Sequence, residues 1–314
     1  MSALTVLIQM LILFAMMFVG YVIAQRGILT ESASAQLSKL VVSVLNPFLM
    51  LSTVLNGGKI GSGEELRQTL ILTCLYFGLM LLAGLLAVLI MRPEKKHRCL
   101  VILMMLFSNM GFMGIPVIRG IFGDGAASTV TSYIVAFNIL FYTFGYYLVD
   151  KAGEANQSNA AVPRVSSRMK RMLNPGFIGA LISFAILVSG IHLPAAVGTF
   201  ANYMGNATVP LSMLLIGANV FREGLLRILT DRKMYLFVLL KMLVFPVLII
   251  LILKQAGFHG MPFGVFAIEL GMPVANVTVM AASESGADAA YCTKAIILTT
   301  LVSVVTVPLI GALL

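Results

Sequence analysis

One eight-residue stretch, Glu269-Leu270-Gly271-Met272-Pro273-Val274-Ala275-Asn276, constrains this chain more than any other. It sits in the middle of an apolar segment long enough to cross a bilayer, yet it carries a carboxylate, a Gly-x-Pro helix breaker and an amide. Proline lacks the backbone N–H and clashes with the carbonyl four residues back, so the span should stop and restart there. A second apolar segment, Ser108-Asn109-Met110-Gly111-Phe112-Met113-Gly114-Ile115-Pro116-Val117, repeats the Gly-x-Pro-Val core, with an amide seven residues before its proline. In hydrocarbon the freed backbone groups each cost several kcal/mol unless protein, water or ligand satisfies them. Paired interruptions in two halves of a membrane chain point to a transport site.

The membrane reading follows from composition: 60% of the 314 residues are apolar and 11% are charged. The net charge of +9 sits in short connections between apolar spans, which makes it an orientation signal. No nucleic-acid motif accompanies it, so nucleic acid is excluded as a partner. The three cysteines, Cys74, Cys99 and Cys292, form no CxxC pair, and His97, His192 and His259 stand singly at segment ends, read as solvated. No cofactor or metal cluster is implied. The first apolar run lacks a basic start and a small-residue cleavage site, so it reads as a retained span.

Twenty-residue windows give ten spans. They lie near 3–24, 37–55, 69–91, 100–122, 128–149, 175–191, 203–221, 234–253, 261–282 and 289–314. Alternate loops hold sixteen Lys and Arg on one side and four on the other, which puts the richer set in the cytoplasm and both termini outside. The longest connection, 150–174, reads as a cytoplasmic linker between a first half, 1–149, and a second, 175–314. Five spans per half force the halves into opposite orientations. Pro47 and Pro210, Gly114-Ile115-Pro116-Val117 and Gly271-Met272-Pro273-Val274, and the glycines at 123 and 286 are the matches that support an inverted repeat. The expected fold is therefore all-α and integral to the membrane, with ten helices in two inverted five-helix repeats and crossing broken helices at spans four and nine.

On this topology the two breaks meet near the bilayer centre from opposite sides. Pro116 and Pro273 suit the first turn of each second half-helix. Converging helix N-termini attract a carboxylate or phosphate, and the opposed carbonyl ends with Glu269 favour a small cation. A charge in mid-span costs roughly 2.5 to 3.5 kcal/mol, so Glu269 is a functional residue or else a protonated acid bonded between helices. Lys241, near the end of its span, is either a snorkelling side chain or a counter-charge to substrate. Asn109 and Asn276 offer amides to a cavity wall, with interhelical bonding as the alternative; Asn46 and Asn138 are of the same kind. Ser283, Glu284 and Asp288 read as solvated groups beyond the ninth span. The methionines read as packing. Within the spans no Ser/His/Asp or paired-carboxylate arrangement suggests an enzyme.

Asn109 through Pro116 resembles the fourth-span motif of the auxin efflux carrier family, which includes the plant PIN transporters and many bacterial permeases. Met272-Pro273, Val279-Met280-Ala281-Ala282-Ser283-Glu284 and Thr306-Val307-Pro308 resemble its C-terminal signature. The resemblance implies a scaffold of spans one, two, six and seven, a moving unit of spans three to five and eight to ten, elevator-like motion and a homodimer. It implies Asn109 as the amide facing a substrate carboxylate; Gly114, Ile115, Pro116, Met272, Pro273 and Asn276 of the two broken spans, with Asn46, are read as the rest of that site. The central linker is short where plant members have long loops, and bacterial relatives suggest dicarboxylates such as malate or malonate. More distantly, Ser108-Asn109 and Glu269-Leu270-Gly271-Met272 resemble the sodium-binding segments of bile acid sodium symporters. That likeness implies Glu269, Ser108, Asn109, Leu270 and Met272 around a coupling Na⁺ or H⁺, although Pro273 replaces a glutamine of those segments; the mid-span amide Asn138 is read as joining them. The expected function is secondary transport of a small organic anion across a bacterial inner membrane. The alternative is an anion channel or membrane sensor.

Overall fold

The structure, a computed structural model, describes residues 3–56, 63–156, 175–189, 191, 193–224 and 232–314. Within them the regular secondary structure is helical, and seven helices are long and apolar enough to cross a membrane: Leu4–Gln25, Glu31–Leu55, Gly63–Met91, Thr129–Asn156, Ala195–Glu223, Lys233–Gln255 and Ala289–Ala312. Three shorter apolar helices, Met110–Phe122, Pro175–Ile186 and Gly260–Leu270, complete the set. Lys59, His192 and positions 157–174 of the expected linker lie outside the described residues. The linker also starts later than expected, because the helix Tyr146–Asn156 runs through positions 150–156.

The helices are, in chain order, α1 (Ala3–Gln25), α2 (Glu31–Leu40), α3 (Asn46–Asn56), α4 (Gly63–Met91), α5 (Lys95–Leu106), α6 (Ile115–Phe122), α7 (Ala127–Leu140) and α8 (Tyr146–Asn156). They continue as α9 (Pro175–Ser189), α10 (Ala195–Asn206), α11 (Thr208–Glu223), α12 (Arg232–Leu239), α13 (Phe245–Gln255), α14 (Gly260–Leu270), α15 (Val277–Glu284) and α16 (Ala289–Ala312). Two packing groups emerge. In the first, α1 lies along α11, and α3 packs against α9 and α10. In the second, α4 and α8 flank α5, α14 packs on α4, and α12 and α15 pack on α16. Gly20 and Gly217 bring α1 and α11 together: a Cβ at Gly20 would lie 2.6 Å from the Leu214 Cα. Small residues at such a crossing let two backbones touch and gain dispersion contacts that lipid cannot offer.

Short π turns join several helices. Those at Val41–Leu45, Met110–Gly114 and Leu240–Val244 each end two residues before a proline, at Pro47, Pro116 and Pro246. Proline in a regular helix would collide with the carbonyl four residues back. The extra residue of a π turn moves that carbonyl away, so the helix continues through the proline.

This relocates the fourth-span break. The sequence suggests an interruption at Pro116, but Gly114, Ile115 and Pro116 lie within the helical run Met110–Phe122. The chain leaves helix earlier, between the end of α5 at Leu106 and Met110. In the ninth span α14 ends at Leu270 and α15 begins at Val277, so Pro273 lies inside the break, four residues ahead of the new helix. Pro116 does fall in the first turn of α6, but the π turn Met110–Gly114 precedes it in the same helical run, so it does not mark the break; Pro273 lies ahead of its half-helix rather than in its first turn.

Candidate functional site

The two breaks cross in contact. Ser108 and Val274 form an antiparallel β-bridge. Asn109 N–H donates to the Pro273 carbonyl at 2.7 Å, and Ala275 N–H to the Phe107 carbonyl at 3.0 Å. A third strut comes from α16, where Thr299 Oγ1 accepts from Val274 N–H at 3.2 Å. Backbone groups that leave helix in mid-span are thereby satisfied by each other, as a low-dielectric interior requires.

On one side of the crossing is a pocket of about 30 Å³, room for about two water-sized groups. Asn46, Asn109, Asn138 and Asn276 all line it, with Ser108 and Phe137. The four asparagines come from four different spans, and the sequence named each of them. Asn138 Nδ2 donates to the Ile134 carbonyl at 2.7 Å, which fixes its amide with the oxygen still free to accept. Asn109 Nδ2 and Asn276 Oδ1 have no protein partner although both atoms are buried. Met110, Gly111 and Val277, the first residues of the two second half-helices, also line the pocket. Helix N-termini and an unused amide donor together suit a negatively charged group.

Behind the crossing lies a sealed charged cluster. Lys241 and Glu269 are both 0% exposed. Lys241 Nζ donates to the Met105 carbonyl at 2.8 Å and to Ser108 Oγ at 2.5 Å, and Tyr76 OH donates to the same Ser108 oxygen at 2.7 Å. The snorkelling reading of Lys241 is therefore wrong. The side chain leaves a π turn towards the protein interior and ends at the crossing, because rotation about the helix axis, not distance from its end, decides which way a lysine faces. Both Glu269 carboxylate oxygens are buried and lack a hydrogen-bond partner. They rest against Gly114, where a Cβ would lie 2.6 Å from Oε1, so only glycine leaves room for the carboxylate. Lys241, Tyr76 and Tyr133 all lie within electrostatic reach of Glu269.

The residues suggested by sequence thus separate into two places. Asn46, Asn109, Asn138, Asn276 and Ser108 meet at the pocket; Gly114 and Glu269 meet behind it. Ile115, Leu270, Met272 and Pro273 are buried and Pro116 is half-buried, and none of them lines the pocket; the substrate contact expected of Ile115, Pro116, Met272 and Pro273, and the cation contact expected of Leu270 and Met272, are not made there. Nor do the six expected sodium ligands form one cage, since Asn138 faces the pocket and Ser108 Oγ is engaged by Lys241 and Tyr76. Tyr76, Tyr133 and Phe137 escaped sequence reading, because an aromatic residue in an apolar span carries no signal of which neighbour it meets.

At one end of the bundle, Asp288 caps α16 by accepting from Tyr291 N–H at 3.0 Å, and its other oxygen lies 3.0 Å from His97 Nε2. The His97 ring stacks on Tyr291 at 4.0 Å. Partial burial opposes the charged form, but the His97 ring, the Tyr291 N–H and Lys96 prevail and hold the Asp288 carboxyl below its usual range. Glu284 accepts from Tyr146 OH at 2.9 Å. The reading of His97, Glu284 and Asp288 as merely solvated is corrected accordingly: they tie the starts of α5 and α16 and the end of α15 to their neighbours.

A multi-helix membrane protein with two discontinuous spans crossing over a polar pocket is built as a transporter is built. The family model described as "Membrane transport protein" matches residues 5–311, and the chain belongs to that family, the PIN-like auxin efflux carrier family its fourth-span motif resembles. It is similar to an uncharacterized transporter of Methanothermobacter thermautotrophicus, 26% identical over 302 residues that cover 94% of this chain and 93% of the relative. It is also similar to an uncharacterized transporter of Methanocaldococcus jannaschii, 25% identical over 316 residues, with 97% of each chain covered.

Proposed function

We propose that this protein is a secondary active transporter that moves a small organic anion, a dicarboxylate such as malate or malonate, by elevator-type alternating access. Coupling to a Na⁺ or H⁺ gradient runs through Glu269. The observation that carries the proposal is the convergence of four asparagines and two half-helix starts on one pocket at the crossing. Asn109, with its unused amide donor, binds a substrate carboxylate, and Asn276, Asn46 and Asn138 orient it. The pocket holds far less than a dicarboxylate, so binding requires the walls to part, which alternating access supplies.

The architecture behind this reading is ten spans in two inverted five-span repeats, with α10 and α11 as one span and each broken helix as another. The first packing group supplies the scaffold and the second the moving unit. A gap of about 210 Å³ lined by Val42, Ser43 and Pro175 on the first group and Tyr146, Met280 and Glu284 on the second supports that division. The protein lies in the inner membrane with both termini outside the cytoplasm, and it forms a homodimer through the scaffold. It is not an enzyme, and it takes no cofactor.

Uptake of a labelled dicarboxylate panel into proteoliposomes, with and without imposed ion gradients, tests the proposal. Accumulation driven by a gradient and lost in both Asn109→Ala and Glu269→Gln is the expected result. Folded variants that accumulate substrate as the parent does would overturn the site.

A further inference from the structure

We infer that the ε-ammonium of Lys241 occupies the seat that a coupling sodium ion would otherwise take, so that the chain carries its own tethered cation at the crossing and binds no Na⁺ there. The functional meaning of this seat rests on the coupled-transport reading above; its chemistry stands on the geometry alone.

The seat is made by the break in the fourth span. In an unbroken helix the Met105 carbonyl would accept from the N–H four residues on, at Asn109. Asn109 N–H turns instead to the Pro273 carbonyl across the crossing. Met105 O is left as an orphan helix-end carbonyl in the low-dielectric interior, with the partial negative charge of a helix C-terminus. Ser108 Oγ lies beside it, and the Glu269 carboxylate, without a hydrogen-bond donor of its own, lies within electrostatic reach. Unwound carbonyls and half-helix C-termini coordinate Na⁺ in transporters with discontinuous helices, and a hydroxyl and a carboxylate beside them are further hard oxygen donors that suit a small cation. Here the carbonyl and the hydroxyl are bound by Lys241 Nζ, at 2.8 and 2.5 Å, and Tyr76 OH donates to the same hydroxyl.

Lysine has three donors and no acceptor, so it matches a cage of acceptors as a metal ion does and supplies the same single charge. Its position is fixed by structure rather than by chance reach. It leaves the π turn Leu240–Val244, which precedes Pro246, and its side chain is wholly buried. A lysine with a route to water would take it.

The test compares thermal unfolding of the purified full-length protein in NaCl and in KCl at equal ionic strength. The parent protein should melt at the same temperature in both salts. Lys241→Ala, which empties the seat, should gain a Na⁺-specific rise in Tm that grows with the logarithm of the Na⁺ concentration. If that variant does not fold, Lys241→Ser, which returns an oxygen to the seat, is read the same way; if neither folds, the parent protein alone decides. Sodium-specific stabilisation of the parent, or a folded Lys241→Ala that melts alike in both salts, would overturn the inference. Failure to accumulate any anion in proteoliposomes would instead remove the transport reading and leave the melting result intact.

Discussion

The fourth and ninth spans share the string Gly-x-Pro-Val and use it in opposite ways. In the ninth, Gly271-Met272-Pro273-Val274 is the break itself, and Pro273 offers its carbonyl to Asn109. In the fourth, Gly114-Ile115-Pro116-Val117 is helical, because the π turn Met110–Gly114 absorbs the proline, and the break falls at Phe107–Asn109. Four residues before the proline stands Glu269 in one span and Phe112 in the other. The shared motif therefore does not mark equivalent places. What the two spans have in common is the crossing, where each contributes one amide to the pocket, Asn109 just after one bridge residue and Asn276 two residues after the other. A proline states that the helix must adapt within a turn; its surroundings choose between widening and breaking.

The largest expected effect separates the two spans by charge. Glu269→Gln keeps the shape of the acid that, among the described residues, stands alone at the crossing and removes its ability to ionise; gradient-driven accumulation in proteoliposomes should fall to the passive level while the protein still purifies as a folded species. Accumulation at the parent level would show that the ninth span's carboxylate is structural. Next come the two amides. A hydrogen bond to a charged group contributes about 1.5–3 kcal/mol, so Asn109→Ala should weaken apparent substrate affinity by about 10- to 100-fold. Asn276→Ala removes an unused acceptor rather than an unused donor and should weaken it by less than about tenfold. Equal losses in KM would mean that the spans grip the anion symmetrically.

Glycine substitutions compare the spans through stability. In Gly114→Ala the new methyl meets the Glu269 carboxylate at 2.6 Å, and destabilisation of about 1–3 kcal/mol is expected. Gly271→Ala meets only the tip of the Ile310 side chain, also at 2.6 Å, and should lose less. Gly111→Ala, with open space at its Cβ, should be neutral or stabilising by about 0.5 kcal/mol. Unfolding midpoints in detergent order the three. A modest effect is also expected where the ninth span leads into α16. Asp288→Ala removes the N-cap and should destabilise by about 1 kcal/mol. Because the folded Asp288 carboxyl lies below its unfolded value, its contribution is present above about pH 4 and is lost as acid takes the pH down through the folded value. A pH titration of Tm for the parent and the variant should converge only in that acid window.

Much of this was legible from the sequence for a physical reason. The seven long apolar helices follow from hydropathy, since a bilayer admits long apolar helices and little else. The four asparagines stood out because an amide in hydrocarbon needs a partner, and they meet at one pocket. Direction was harder to read. Lys241 looked like a snorkelling residue because linear distance to the span's end is visible, whereas the π turn that rotates it inwards is not. Gly114 looked like a helix breaker, and its role is to leave room for a carboxylate from a residue 155 positions away in the chain (269 − 114). Tyr76 gave no sign at all, because only the folded chain brings its hydroxyl to Ser108.

The bonds that fasten the crossing run from main chain to main chain, Asn109 to Pro273 and Ala275 to Phe107. Such a clasp is indifferent to what the neighbouring side chains are. Descendants of one ancestral carrier can therefore exchange the groups that select the cargo while the knot holding the two spans stays tied.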